Sequence, residues 1–371
     1  MIKIILLIGI IFSYLMSVGQ SDSSKRKEVR ETEKFYKNLQ KISRKGTMFG
    51  QQDALAYGLN ADGSRWIGEK NRCDVKSVTG DYPAVIGFDL GHLELDSTKN
   101  LDGVPFIDIQ QLIIETNKRG GIVTISWHLN NPLNPAKSTW DKQDSTIKNL
   151  FSNKEAVELY NSWLDKFSSF LKSLKDKNGK IIPIIFRPFH EHTGSWFWWG
   201  ANQCTTSEYI ALWQYTVNYL KNDKGLNSLI FAYSTDVFES EQSYLERYPG
   251  DKYVDLLGFD YYQRNAPASN EDFVKNMNQM IDLVKRLAIE KNKLSAITEM
   301  GLEKITESNW WTNIVFPLIK NQGLCYILLW RNGRPDHYYT PFKGHKSEHD
   351  FIKFYQQPEI LFLNDIKKLK R

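Results

Sequence analysis

Two glutamates in this chain have the surroundings to do acid–base and nucleophilic chemistry. Glu191 closes the segment Arg187-Pro188-Phe189-His190-Glu191, directly after the apolar run Ile181 to Phe186. Glu299 closes the run Leu294 to Thr298, 108 residues later. Cleavage of a glycosidic bond needs such a pair: one carboxylic acid protonates the leaving oxygen, and a second carboxylate attacks the anomeric carbon or activates water. A separation of about 5 to 5.5 Å would give retention of configuration. Directly after Glu191 comes Thr193-Gly194-Ser195-Trp196-Phe197-Trp198-Trp199-Gly200, four consecutive aromatics bracketed by glycines. Indole faces pack against the C–H faces of sugar rings, while Asp, His and Arg bind the hydroxyls. The blander alternative pairs each glutamate with a base, Glu191 with Arg187 and Glu299 with a neighbouring Lys or Arg. Some of the four rings would then only fill space under the loop, with Trp196 the better placed for a cleft. His190-Glu191-His192 is not read as a metal site. The zinc-protease spacing would put its second histidine at Gly194, and alternation in an extended strand separates Glu191 from the two histidines.

Residues so far apart in sequence need a scaffold that brings them together. Eight short runs rich in Ile, Val, Phe or Tyr recur: Met48 to Gln51, Ala84 to Phe88, Gly121 to Ser126, Ile181 to Phe186, Ser228 to Tyr233, Asp255 to Phe259, Leu294 to Thr298, and Cys325 to Leu329. Continuously apolar runs of this length suit strands covered on both faces. Helical periodicity separates them, in Lys154 to Lys175, after the capping-box sequence Thr205-Thr206-Ser207-Glu208, and from Asn270 toward Lys291. Eight strands alternating with helices at about 40 residues per unit predict a (β/α)8 barrel, a TIM barrel, in one α/β domain. A doubly wound open sheet would prefer a glycine-rich phosphate turn after its first strand, which Gly50-Gln51-Gln52-Asp53 is not.

In a barrel, catalytic side chains gather at the C-terminal strand ends. Those positions hold Asp89 and His92, His128, Arg187 with His190 and Glu191, Asp236, Asp260 with Tyr261 and Tyr262, Glu299, and Trp330-Arg331-Asn332. The longest stretches without an assigned element, Gly91 to Pro105 and Leu129 to Lys154, would wall the cleft and decide between internal cleavage and trimming from chain ends.

The remaining composition narrows the context. Residues 1–19 read as a secretory signal, with Lys3, the apolar stretch Ile4 to Phe12 and the small-x-small site Ser17-Val18-Gly19. A polar leader over 20–34 and a catalytic domain over 35–371 follow. A secreted or periplasmic protein is expected, with no membrane span once the signal is removed, and a monomer. The formal charge of +5 with no basic block gives no support for nucleic-acid binding. Three cysteines, Cys73, Cys204 and Cys325, are too scattered for a disulfide framework or zinc site; whether Cys73 and Cys204 pair stays open. With 11 Trp, 18 Tyr and 20 Phe the chain has aromatic surface to spare, for core or for ligand.

The strand-four motif His190-Glu191-x-x-Gly194-x-Trp196-Phe197-Trp198-Trp199-Gly200, with Arg187 before it, resembles the acid/base region of glycoside hydrolase family 26, chiefly β-mannanases. Ser126-Trp127-His128, Gly258-Phe259-Asp260-Tyr261-Tyr262, Thr298-Glu299 and Trp330 follow the family's landmarks in order, over about residues 45 to 335. The resemblance implies a retaining double displacement on β-1,4-linked mannose in mannan, galactomannan or glucomannan. Glu299 is then the nucleophile and Glu191 the acid/base, with Tyr262 bonded to the nucleophile and Arg187 and His190 positioning the carboxylates. His128 and Asp260 would bind hydroxyls, Trp196 and Trp330 would stack on sugars, and no metal or cofactor is needed. Mixed-linkage glucan or xylan as substrate, or a non-catalytic glycan-binding barrel, are the competing expectations.

Overall fold

Each of the eight apolar runs forms a strand. The computed structural model describes residues 26–143 and 145–369, so the signal-like segment 1–19 lies outside the described residues. The strands are β1 (Thr47–Gln52), β2 (Val85–Asp89), β3 (Ile122–Ser126), β4 (Ile184–Arg187), β5 (Leu229–Thr235), β6 (Leu256–Gln263), β7 (Leu294–Leu302) and β8 (Tyr326–Leu329). Each pairs in parallel with the next, and β8 returns to β1 through Met48↔Tyr326 to Gln51↔Leu329, closing the (β/α)8 barrel. A short strand, Ile360–Leu361, adds to β1 from outside the ring.

Alternation along the strands divides the core in two. Met48, Val85, Ile122, Ile185, Ile230, Leu256, Leu294, Ala296, Tyr326 and Leu328 share one buried cluster, the barrel lumen. Their neighbours Phe49, Ile86, Val123, Phe186, Phe231, Leu257, Ile297 and Ile327 belong to the larger cluster between barrel and helices. That is the pattern expected of strands buried on both faces. The polar leader is helical from residue 26, in a helix that runs to 43. Leu39 and Ile42 on it, with Leu361, Leu363 and Ile366 from the C-terminus, join the lumen cluster and close the end of the barrel away from the cleft.

The helices start where the sequence signals lie. Asn153 caps Lys154–Ser173 through the Ala156 amide, and this helix buries Tyr160, Trp163, Leu164, Phe167 and Leu171. Thr205 and Glu208 form a reciprocal capping box on Thr206–Asn218: the Glu208 amide donates to Thr205 Oγ1 at 3.3 Å, and the Thr205 amide donates to Glu208 Oε2 at 2.8 Å. Replacing Thr205 by alanine is expected to lower the unfolding free energy by about 1 kcal/mol. Denaturant titration would read this as a lower midpoint with an unchanged slope.

Sequence periodicity did not reveal the antiparallel ribbon of Tyr57–Leu59 and Arg65–Ile67 after β1. Its strands are three residues each, too short for alternation to register. A buried carboxylate anchors it: Asp74 accepts from the Leu59 amide at 2.9 Å, from Trp66 Nε1 at 2.7 Å and from Asn332 Nδ2 at 2.8 Å. Cys73 and Cys204 are both buried and free. Among the described residues no helix is long and apolar enough to cross a membrane.

Candidate active site

Glu299 reaches the lumen through an irregularity in β7. The lower part of that strand alternates regularly, with Ala296 inward and Ile297 toward the helices. Simple alternation would therefore turn residue 299 outward. The β6–β7 register slips between Phe259 and Asp260, so that Phe259 faces Ile297 while Asp260 faces Glu299. The β7–β8 register slips at the same place, between Ile327↔Ile297 and Leu329↔Met300. This one-residue bulge brings Thr298 and Glu299 inward together and leaves Met300 packed against the helices. Thr298 Oγ1 lies 2.8 Å from Ser234 Oγ, inside the barrel.

Both oxygens of Glu299 are engaged. Oε1 accepts from Arg187 Nη2, and Oε2 accepts from Tyr262 OH at 2.6 Å. Arg187, fully buried at the end of β4, also donates through Nη1 to Asp260 Oδ2 at 2.7 Å. Its charge is thus shared between Glu299 and Asp260 and not given to Glu191. Asp260 Oδ1 accepts from Ser234 Oγ at 2.9 Å, and the residue has no exposed surface. The resemblance puts Asp260 on a sugar hydroxyl; here its oxygens are occupied and it orients Arg187.

Glu191 stands opposite. Its φ of 53° lies in the left-handed region, an uncommon place for a residue with a Cβ. Its amide donates to the Ser234 carbonyl at 3.0 Å, which holds the turn against β5. Trp196 Nε1 donates to Glu191 Oε2 at 2.7 Å. Gly194 makes that possible, because a Cβ at this position would run into the Trp196 indole. Trp196 is half-buried at the cleft, whereas Phe197, Trp198 and Trp199 are buried beneath the loop. Trp198 Nε1 and Trp199 Nε1 bond the carbonyls of Leu129 and His190.

One carboxylate oxygen each from Glu191, Asp260 and Glu299 lie within 4.8 Å of one another. That spacing falls below the 6.5 to 9.5 Å that leaves room for an attacking water between two carboxyls. Burial, then the charges of Glu299, Asp260 and Asp236, push the Glu191 carboxyl well above the usual carboxylate range; the Trp196 bond opposes this only weakly.

The histidines form their own chain. His128 Nδ1 lies 2.6 Å from Asp89 Oδ2, and Asp89 also accepts from Ser126 Oγ and the Gly91 amide, each at 2.7 Å. His128 Nε2 lies 3.2 Å from His190 Nε2. Burial disfavours charge on either ring, but the Asp89 carboxylate overcomes this and raises His128. Burial together with Arg187 and His128 drives His190 far down. The two shifts favour His128 as the donor and His190 as the acceptor of this contact. Among the described residues His190 hydrogen-bonds neither glutamate, in contrast to the positioning role that the resemblance implies.

Further residues at this mouth carry no strong sequence signal. Trp140, half-exposed, stacks on His128 with ring centroids 6.0 Å apart, while Trp330 meets the same imidazole edge-on at 6.4 Å. A lone tryptophan in the polar segment Ser138 to Asp141 was the available hint for Trp140. Glu94, buried in the loop after β2, accepts from Trp127 Nε1 at 2.9 Å and from the Asn130 amide at 2.8 Å, tying the two longest loops together. Arg331 contacts Asp102 in that first loop, and Tyr57 OH lies 2.7 Å from Asp53 Oδ2 and 3.2 Å from Asp102 Oδ2.

Known proteins share this architecture. The profile of Glycosyl hydrolase family 26 matches residues 24–311. A GH26 β-mannanase from Bacteroides ovatus, BoMan26A, superposes with a TM-score of 0.85 at 41% identity, covering 94% of this chain and 97% of that one. A mannan endo-1,4-β-mannosidase of Bifidobacterium adolescentis is 31% identical over 346 residues, 87% of this chain but 34% of its own length. One from Bacillus subtilis is 31% identical over 235 residues, 61% of this chain and 60% of its own. The match thus spans about a third to three fifths of these two enzymes. With the profile covering most of the barrel and both carboxylates in place at the ends of β4 and β7, the chain belongs to glycoside hydrolase family 26.

Proposed function

We propose that the protein is a retaining β-mannanase that hydrolyses β-1,4-mannosidic bonds by double displacement, with Glu299 as nucleophile and Glu191 as acid/base. The observation that carries this reading is the close approach of the two carboxylates, one gripped by Arg187 and Tyr262, the other bonded, among the described residues, by an indole N–H alone. Arg187 and Tyr262 fix both oxygens of Glu299 and hold it in line with the anomeric carbon. Glu191, pushed upward, holds its proton more tightly than an ordinary carboxyl and passes it to the departing sugar oxygen. Having given up that proton Glu191 is a carboxylate, and with the charge of Glu299 removed by esterification it stays one and acts as base on the incoming water. The aromatic faces of Trp196, Trp140 and Trp330 are suited to sugar rings on either side of the cleaved bond.

The mannan assignment draws on the names of the β-mannanase relatives. The signal-like residues 1–19 support an enzyme acting outside the cytoplasm on extracellular polysaccharide. Incubation with β-mannan, xylan and mixed-linkage glucan tests the substrate, and NMR of the first-formed product tests the mechanism. The expected result is cleavage of mannan with the β-anomer released first. Cleavage of glucan or xylan alone overturns the mannan assignment, and early release of the α-anomer overturns retention.

A further inference from the structure

Beside Glu191 the cleft deepens into a cavity of about 540 Å³, whose lining includes Glu191, Trp196, Asp236, Tyr262, Arg264 and Asp272. The acid/base lines this cavity and Glu299 does not. A proton donor must face the oxygen that departs, so this is the side on which the leaving group sits. The half-buried face of Trp196, with Tyr261 and Phe273 in the walls, offers flat apolar surface, as a pyranose needs.

Asp236 immediately follows β5 and is fixed relative to Glu191 at two points. Its amide donates to Thr193 Oγ1 at 3.0 Å, two residues beyond the acid/base, and the Glu191 amide bonds the Ser234 carbonyl at 3.0 Å. Asp89 and Asp260 have their oxygens occupied, Asp89 by His128, Ser126 and Gly91, and Asp260 by Arg187 and Ser234, while Asp53, after β1, is not among the residues lining this cavity. The carboxylate of Asp236 is bonded by no side chain among the described residues; the Val237 amide and the charge of Arg264 act on it and favour its ionised form. Partial burial without a strong partner raises it to about 6. A strand-end carboxylate with open acceptor sites, held beside the acid and facing an aromatic-walled cavity, is built to receive hydroxyl donors.

We propose that Asp236 determines leaving-group specificity, accepting hydroxyl hydrogen bonds from the departing sugar so that a saccharide is preferred over a leaving group without hydroxyls. The inference rests on the glycosidase reading above. Its test compares wild type, Asp236→Ala and Asp236→Asn on two substrates that share one glycone. One is a linear oligosaccharide of whichever β-glycan the wild type hydrolyses, and the other an aryl glycoside. Asp236→Ala is expected to lower kcat/KM for the oligosaccharide by about tenfold to a hundredfold, the range for losing a hydrogen bond to a charged group, while the aryl glycoside changes less than about twofold. Asp236→Asn keeps the shape and one acceptor oxygen, so its loss on the oligosaccharide is smaller. Equal losses on both substrates, or no loss on either, overturn the proposal. Thermal unfolding of each variant identifies a loss that comes from misfolding, and the isosteric Asn variant then decides by the same comparison. Wild type inactive on every glycan would overturn the glycosidase reading itself, a result distinct from both.

Discussion

Glu299→Gln is expected to lower kcat on β-mannan by about 10⁴-fold or more, with the fold intact. Loss of a nucleophile removes the covalent route altogether, and what remains is binding and positioning. Gln is preferred to Ala because Glu299 is buried between Arg187 and Tyr262. An amide keeps the volume and can still accept from one of these donors, whereas alanine would leave a cavity beside a buried guanidinium. The measurement is the rate of reducing-end release, paired with near-UV circular dichroism to verify packing. In Glu299→Ala, where that space is open, an external anion such as azide would enter from the vacated side and give the inverted α-glycosyl azide, the signature of a missing nucleophile. Activity within tenfold of wild type would remove Glu299 from the chemistry.

Glu191→Ala separates the two steps. On mannan, with its poor alkoxide leaving group, the loss is expected to be about 10² to 10⁴-fold. On an aryl glycoside the leaving group needs no proton, so the first step persists and the glycosyl-enzyme accumulates, seen as a burst and a depressed KM. Azide would restore turnover here and give the β-product, opposite to the Glu299 variant. The pH profile supplies the sign. Glu191 must be protonated for the first step and its carboxyl is raised, so wild-type activity should fall as pH rises through its apparent pKa. With the aryl substrate and the Glu191→Ala variant that alkaline limb should vanish. An unchanged profile would assign the limb to another group.

The barrel was legible because its strands are buried on both faces and their apolar runs stand out against amphipathic helices. The strand ends were legible because a closed parallel barrel puts them on one rim, whatever their separation in sequence. What lay outside that logic was contact between loops. Nothing local to Glu94, Asp102 or Tyr57 tells that one ties two loops and the others meet Arg331, since each bond joins segments remote in sequence. The roles expected of Asp260 and His190 changed for a related reason. Position on the rim is a property of sequence spacing, but whether a side chain faces substrate or a neighbour depends on which partners reach it first. Arg187 and Ser234 reach Asp260, and His128 reaches His190.

The bulge in β7 has a consequence for anyone transplanting this site. Below Thr298 the strand's inward residues are set by one parity and above it by the other, so a single strand carries two reading frames for its side chains. The lower frame fits the packed lumen, and the upper frame aims the carboxylate. A grafted barrel could reproduce every residue type on the rim and still present Glu299 to its own helices if the extra residue were lost. What must be copied is an offset in backbone count as well as a list of side chains, and a catalogue of catalytic residues does not record the offset.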